Sequence, residues 1–131
     1  MYKLTKEQLL FDLYVAFEYA CKHKNNKKYV QAYKKDLYNN LIELRDALFH
    51  RMYIPESSVC FIVEYPKKRE VFAAHFKDRI VHHLYFNYIH KLFENTFIYD
   101  SYSCIKNRGT HFGIKRCKKH IIAESNNYTK E

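Results

Sequence analysis

Only two glycines and two prolines occur in 131 residues. A chain this short of turn-forming residues lacks the tight connections that an all-β sandwich or a loop-rich fold requires, so long helices are expected to dominate. The length allows one domain at most, or a part of a larger one. Hydrophobic residues make up 47% of the chain, which is enough to build a packed core.

The helices can be placed from their apolar spacing. Thr5 followed by Gln8 is a capping-box pattern. Leu9, Leu10, Leu13, Tyr14, Phe17 and Cys21 then recur with helical period up to a polar connector at residues 23–28. A second helix is expected over residues 30–53. Its stripe of Tyr33, Leu37, Leu41, Leu44 and Leu48 reads as core, and Pro55 stops it.

A different texture follows. Val59 to Tyr65 and Val71 to Phe76 are short, apolar and rich in β-branched and aromatic residues, and a polar link joins them, so they are expected to pair as an antiparallel hairpin. Asp78 is placed to cap a third helix, in which Ile80, Val81, Leu84, Tyr85, Tyr88, Ile89, Leu92 and Phe93 make the cleanest stripe in the chain. Strand character is expected to return over residues 97–104. Gly109 breaks the chain, and Thr110 is placed to cap a last helix in which Ile114, Cys117 and Ile121 share a face. The expected fold class is therefore α+β. It comprises an N-terminal helical region (1–54), a region of hairpin, helix, strand and turn (55–124), and a frayed polar tail (125–131).

Charge points to the partner. Lys and Arg number 23 against 14 Asp and Glu, a formal net charge of +9, which favours an anionic partner, most often nucleic acid. No apolar run approaches the roughly 18 residues that span a membrane, so no membrane partner is expected. Cys21, Cys60, Cys104 and Cys117 form no C-x-x-C pair and no signal-peptide pattern opens the chain, so free thiols and a cytoplasmic location are expected. Cys117 and His120 have a permissible ligand spacing on a helix, but no second pair lies at zinc-finger distance, so no metal site is expected. Asp12, Asp36, Asp46, Asp78 and Asp100 make no D-D or D-x-D pair, so a two-metal carboxylate site cannot be assembled locally.

Two basic blocks remain. Lys67, Lys68 and Arg69 sit together at the expected hairpin tip, where a two-strand platform can hold a guanidinium fork and mobile ammonium groups over phosphate. The same charges also keep an edge hairpin soluble, and short basic runs serve as nuclear import signals. The second block is Lys106-Asn107-Arg108-Gly109-Thr110-His111. There a glycine and a helix start offer a general anion site, without the residue order of a P-loop.

The order P-K-K-R-E, D-R-I-V-H-H, F-I-Y-D-S-Y-S-C and K-N-R-G-T-H resembles the N-terminal region of bacterial reverse transcriptases. It is similar above all to those of diversity-generating retroelements and, more distantly, to group II intron and retron enzymes. The resemblance covers residues 41–115 and implies the fingers subdomain of a right-hand polymerase. It implies that Lys67 and Arg69 bind nucleotide phosphate. It also implies that Lys68, Arg79, Lys106, Arg108 and Thr110 contact nucleic acid, with an RNA template, a DNA primer and deoxynucleoside triphosphates as partners. Asn107 stands where relatives often carry Gly, and Ile105 where a basic residue is common. The family's palm carboxylates have no counterpart in this sequence. The resemblance thus implies no catalytic residue and no bound cofactor here, Mg2+ for the full enzyme, and self-association through a palm-facing surface. A stand-alone RNA- or DNA-binding module without catalysis, and an interaction protein with an incidental basic face, are the alternatives.

Overall fold

In the computed structural model, residues 4–103 and 105–129 are described, and they divide into two compact units, residues 1–90 and residues 91–131. The architecture is α+β, with five helices and one two-stranded antiparallel sheet among the described residues.

The first helix, α1 (Lys6–Cys21), starts where the hydroxyl of Thr5 accepts the Gln8 backbone N–H at 3.2 Å. Only half of the expected capping box forms, because the Gln8 side chain donates forward to Asp12 instead. The helix buries Leu9, Leu13, Ala16, Phe17, Ala20 and Cys21.

The single helix expected over residues 30–53 is two, α2 (Lys28–Lys35) and α3 (Leu37–Phe49), broken at Asp36. Polar side chains take over the helix bonds there. Asn40 donates its amide to the Tyr33 carbonyl at 3.0 Å, and Asn39 donates to the Asp36 carboxylate at 2.8 Å. The apolar stripe survives the break. Leu41 and Leu44 are buried, and Tyr33, Leu37 and Leu48 pack against the same core.

Strands β1 (Val59–Val63) and β2 (Arg69–Ala73) pair as expected, with Val63 opposite Arg69 and Val59 opposite Ala73. The connection is residues 64–68, so Arg69 and Glu70 belong to the strand rather than the turn; the Tyr65–Pro66 peptide is cis. Five paired residues carry the tip about 17 Å along the strands.

Helix α4 (Phe76–Glu94) follows and buries Phe76, Asp78, Ile80, Val81 and Leu84. The second half of its expected stripe, Tyr85, Tyr88, Ile89, Leu92 and Phe93, is exposed. Phe76 sits in an aromatic cluster with Phe17, Tyr29 and Tyr33, at ring-centroid distances of 6.3, 5.4 and 5.3 Å. Asp78 lies within the first turn of α4 rather than before it, and its carboxylate bonds residues that precede the hairpin. It is 2% exposed and accepts from the Tyr53 hydroxyl and, at 3.1 Å, from the Glu56 backbone N–H.

In the second unit the strand expected over residues 97–104 does not form among the described residues, and Cys104 lies outside them. The backbone turns instead, with Thr96 and Ser101 donating to the Phe93 and Ile98 carbonyls. Strand propensity needs a pairing partner to become a strand, and this segment has none. Gly109, not Thr110, is the N-cap of α5 (Thr110–Glu124), and the expected apolar face of that helix is not buried, with Ile114 and Ile121 exposed. At residues 125–129 the chain makes hydrogen-bonded turns. No helix of the described residues is long and apolar enough to cross a membrane.

Three phenols of the first unit are pushed above their ordinary range, in each case chiefly by burial. Tyr33 rises to about 12, helped by Glu43, while Tyr53 and Tyr88 are raised further by their bonds to Asp78 and Asp12. A phenol whose folded pKa is raised keeps its full contribution below the unfolded value, about 10, and loses it as pH climbs through the folded value. The urea midpoint is therefore expected to hold to about pH 10 and then fall, with Tyr33→Phe/Tyr53→Phe flattening the fall. A midpoint that stays level through about pH 12 would contradict these environments.

Candidate nucleic-acid interface

Four groups hold the chain at the base of the hairpin. Phe76 anchors the exit in the aromatic cluster, and Asp78 holds the entry through Tyr53 and Glu56. Arg79 Nε donates to the Ala74 carbonyl at 2.8 Å, and Glu56 bridges Lys77 at 2.7 Å and His75 at 3.2 Å.

Beyond this clamp most hairpin side chains are exposed, with Val63, Val71 and Ala73 half-buried. Opposed residues share a face, so Val59, Phe61, Val63, Arg69, Val71 and Ala73 lie on one side and Cys60, Ile62, Glu70 and Phe72 on the other. Phe61 and Phe72, from opposite faces, are 47% and 67% exposed. Lys67 and Lys68 occupy the turn and Arg69 the end of β2, all three exposed, and among the described residues none makes a salt bridge. The structure thus brings Lys67, Lys68 and Arg69 together at one tip.

Arg79 is not part of that group. Besides its bond to Ala74, its guanidinium lies over the Tyr29 ring at 5.1 Å and donates to the Tyr29 hydroxyl at 3.3 Å. This arginine positions the hairpin base, and its charge is spent partly on the protein itself.

The second basic block belongs to the second unit. Lys106 and Thr110 are exposed, whereas Arg108 folds inward, donating to the Tyr99 carbonyl at 2.8 Å with its guanidinium 4.6 Å from the Tyr99 ring centroid. Asn107 takes the left-handed conformation at φ 65°, which an asparagine tolerates. Gly109 is extended and a side chain there would meet nothing within 4 Å, so the close approach expected of it is not required by the fold. Gly113 is the glycine that allows one, because a Cβ there would lie 3.1 Å from the Tyr102 ring.

Asp100 is more than the turn residue its sequence context implies. Arg116 grips it through two bonds of 2.7 and 3.0 Å, Tyr102 donates to it at 2.8 Å, and His120 Nε2 stands 3.1 Å away. Arg116 first, then Tyr102 and His120, hold its carboxyl well below the usual carboxylate range. The spacing of Arg116 and His120, one helical turn apart, was the available sequence signal; their shared partner lies sixteen to twenty residues away. His120 Nε2 lies 3.1 Å from both Asp100 and Arg116. Among the described residues no group of three His, Cys, Asp or Glu could hold a metal ion.

Neither the protein-family models nor the curated proteins include a match to this chain.

Proposed function

We propose that this chain is the fingers portion of an RNA-directed DNA polymerase of the bacterial reverse transcriptase type. One observation carries the reading: a hairpin clamped at its base presents Lys67, Lys68 and Arg69 together at its tip, exposed and without salt bridges among the described residues. Adjacent cations repel one another, and a bound polyphosphate relieves that repulsion while the strands keep the tip in place. In this reading Lys67 and Arg69 hold the triphosphate of a deoxynucleotide and Lys68 contacts the strand backbone. Lys106, Arg108 and Thr110 approach the RNA template, and Arg79 positions the hairpin. Mg2+ would complete the chemistry by activating the primer hydroxyl and neutralising the leaving pyrophosphate. In this reading the carboxylates that would hold it are those of the polymerase palm. A cytoplasmic setting suits the free thiols of Cys21, Cys60 and Cys117, and the exposed apolar hairpin faces suit self-association or a palm.

A second reading, a stand-alone RNA- or DNA-binding module, draws on the same exposed cations and needs no carboxylate site. Amide chemical-shift mapping separates the two. The polymerase reading expects a deoxynucleoside triphosphate to move resonances of residues 63–70 at concentrations where the monophosphate does not. Equal responses to both would remove the nucleotide role and leave the module. Template-directed DNA synthesis by the purified chain alone would overturn the division of labour between fingers and palm.

A further inference from the structure

Arg79, His82, His83, Phe86 and Asn87 lie along α4 beside the buried stripe of Ile80, Val81 and Leu84. With Tyr19 of α1 they line an open groove of about 590 Å³. Rings make its walls. His83 stacks on Tyr19 at 6.4 Å between centroids and 19° between planes, and Phe86 is 52% exposed. No carboxylate lines the groove, and Arg79, His82 and Asn87 bring polar edges into it. Burial, then Lys24, then His82 lower the pKa of His83, which keeps its ring neutral at physiological pH.

We propose that this groove takes an unpaired nucleobase of a single-stranded nucleic acid, stacked against Phe86 and the neighbouring imidazoles, with its phosphate toward Lys24. Flat rings beside a cation, without an acid, suit a base and its phosphate. An aliphatic group in the same place would cover the donors of Arg79 and Asn87 without bonding them. A base inside a duplex is already stacked and cannot enter. The inference rests on the nucleic-acid reading for its class of partner, but not on any role of the hairpin tip.

The chain has no tryptophan, so Phe86→Trp installs a single reporter at a half-exposed position. Short oligoadenylate RNA and its DNA counterpart are expected to quench it, while a blunt duplex at matched phosphate concentration does not; quenching by either single strand supports the groove and identifies the sugar. Phe86→Ala, with an unchanged circular dichroism spectrum, is expected to weaken single-strand binding about 5- to 100-fold and to leave the salt dependence as it was. Equal quenching by duplex, or Phe86→Ala binding as tightly as wild type, would overturn the proposal. So would quenching by adenosine monophosphate at lower concentration than by the oligomer, since the occupant would then be a free nucleotide. The Lys67→Ala/Lys68→Ala/Arg69→Ala variant tells this failure from that of the hairpin reading. If it loses affinity and Phe86→Ala does not, the groove is wrong and the tip stands; the reverse pattern removes the tip and keeps the groove.

Discussion

Replacing Asp78 with Ala is expected to lower the stability of the first unit by about 2–4 kcal/mol, on the order of 10–20 °C in melting temperature for a unit of this size. The carboxylate is 2% exposed and accepts from the Tyr53 hydroxyl and the Glu56 backbone N–H. Truncation leaves both donors without a partner, at roughly 1–3 kcal/mol each. Tyr53→Phe removes one donor and leaves the bond to Glu56, so it is expected to cost about 1 kcal/mol. Asp78 also ties the entry of the hairpin to the helix at its exit. Hydrogen exchange within β1 and β2 should therefore quicken in Asp78→Ala more than in α1, whose packing the substitution does not touch. A melting temperature within about 2 °C of wild type would show that Asp78 does not hold the hairpin base.

The second large effect is on binding. Lys67→Ala/Lys68→Ala/Arg69→Ala takes the formal charge from +9 to +6 and removes every cation of the tip. Each phosphate neutralised on a single strand contributes about 0.7 to the slope of log affinity against log salt. In the module reading all three cations contact the strand, and their loss lowers the slope by about 2 and the affinity at about 0.1 M salt by roughly a hundredfold; in the polymerase reading only Lys68 does, and the slope falls by about 0.7. All three side chains are exposed and unpaired with any carboxylate among the described residues, so the melting temperature should not move. Arg79→Ala should do the opposite. Its guanidinium bonds Ala74 and covers Tyr29, so stability falls more than the salt slope changes. A triple variant with wild-type affinity and slope would remove the tip from the interface.

The contrast between Arg79 and Arg69 marks what could be read from residue order. Charge and position along the chain were legible; the direction of each charge was not, because it depends on which tyrosine or carbonyl the fold brings near. Arg79 meets Tyr29 fifty residues away, and Arg108 meets Tyr99 nine residues away. The hairpin was legible because short β-branched and aromatic runs joined by a polar link are a local signal, and α4 because its apolar period is near 3.6. The break at Asp36 was not, since a one-residue interruption leaves the Leu37, Leu41 and Leu44 spacing intact while Asn39 and Asn40 capture the freed polar groups. Asp78 illustrates the same limit. An acid near a helix start has the chemistry of a cap, and only its long-range partners Tyr53 and Glu56 make it a clamp. The groove residues of α4 were visible as histidines but not as a stripe, because adjacent His82 and His83 face one groove only once Tyr19 closes it.

The central claim, that the hairpin tip is where this protein holds phosphate, is tested most directly by cross-linking single-stranded RNA to the wild-type chain and mapping the linked residues. The predicted result is a cross-link at Lys68 that fades as salt rises, in step with the loss of binding. Bound RNA whose cross-links all fall outside residues 64–70 would contradict it.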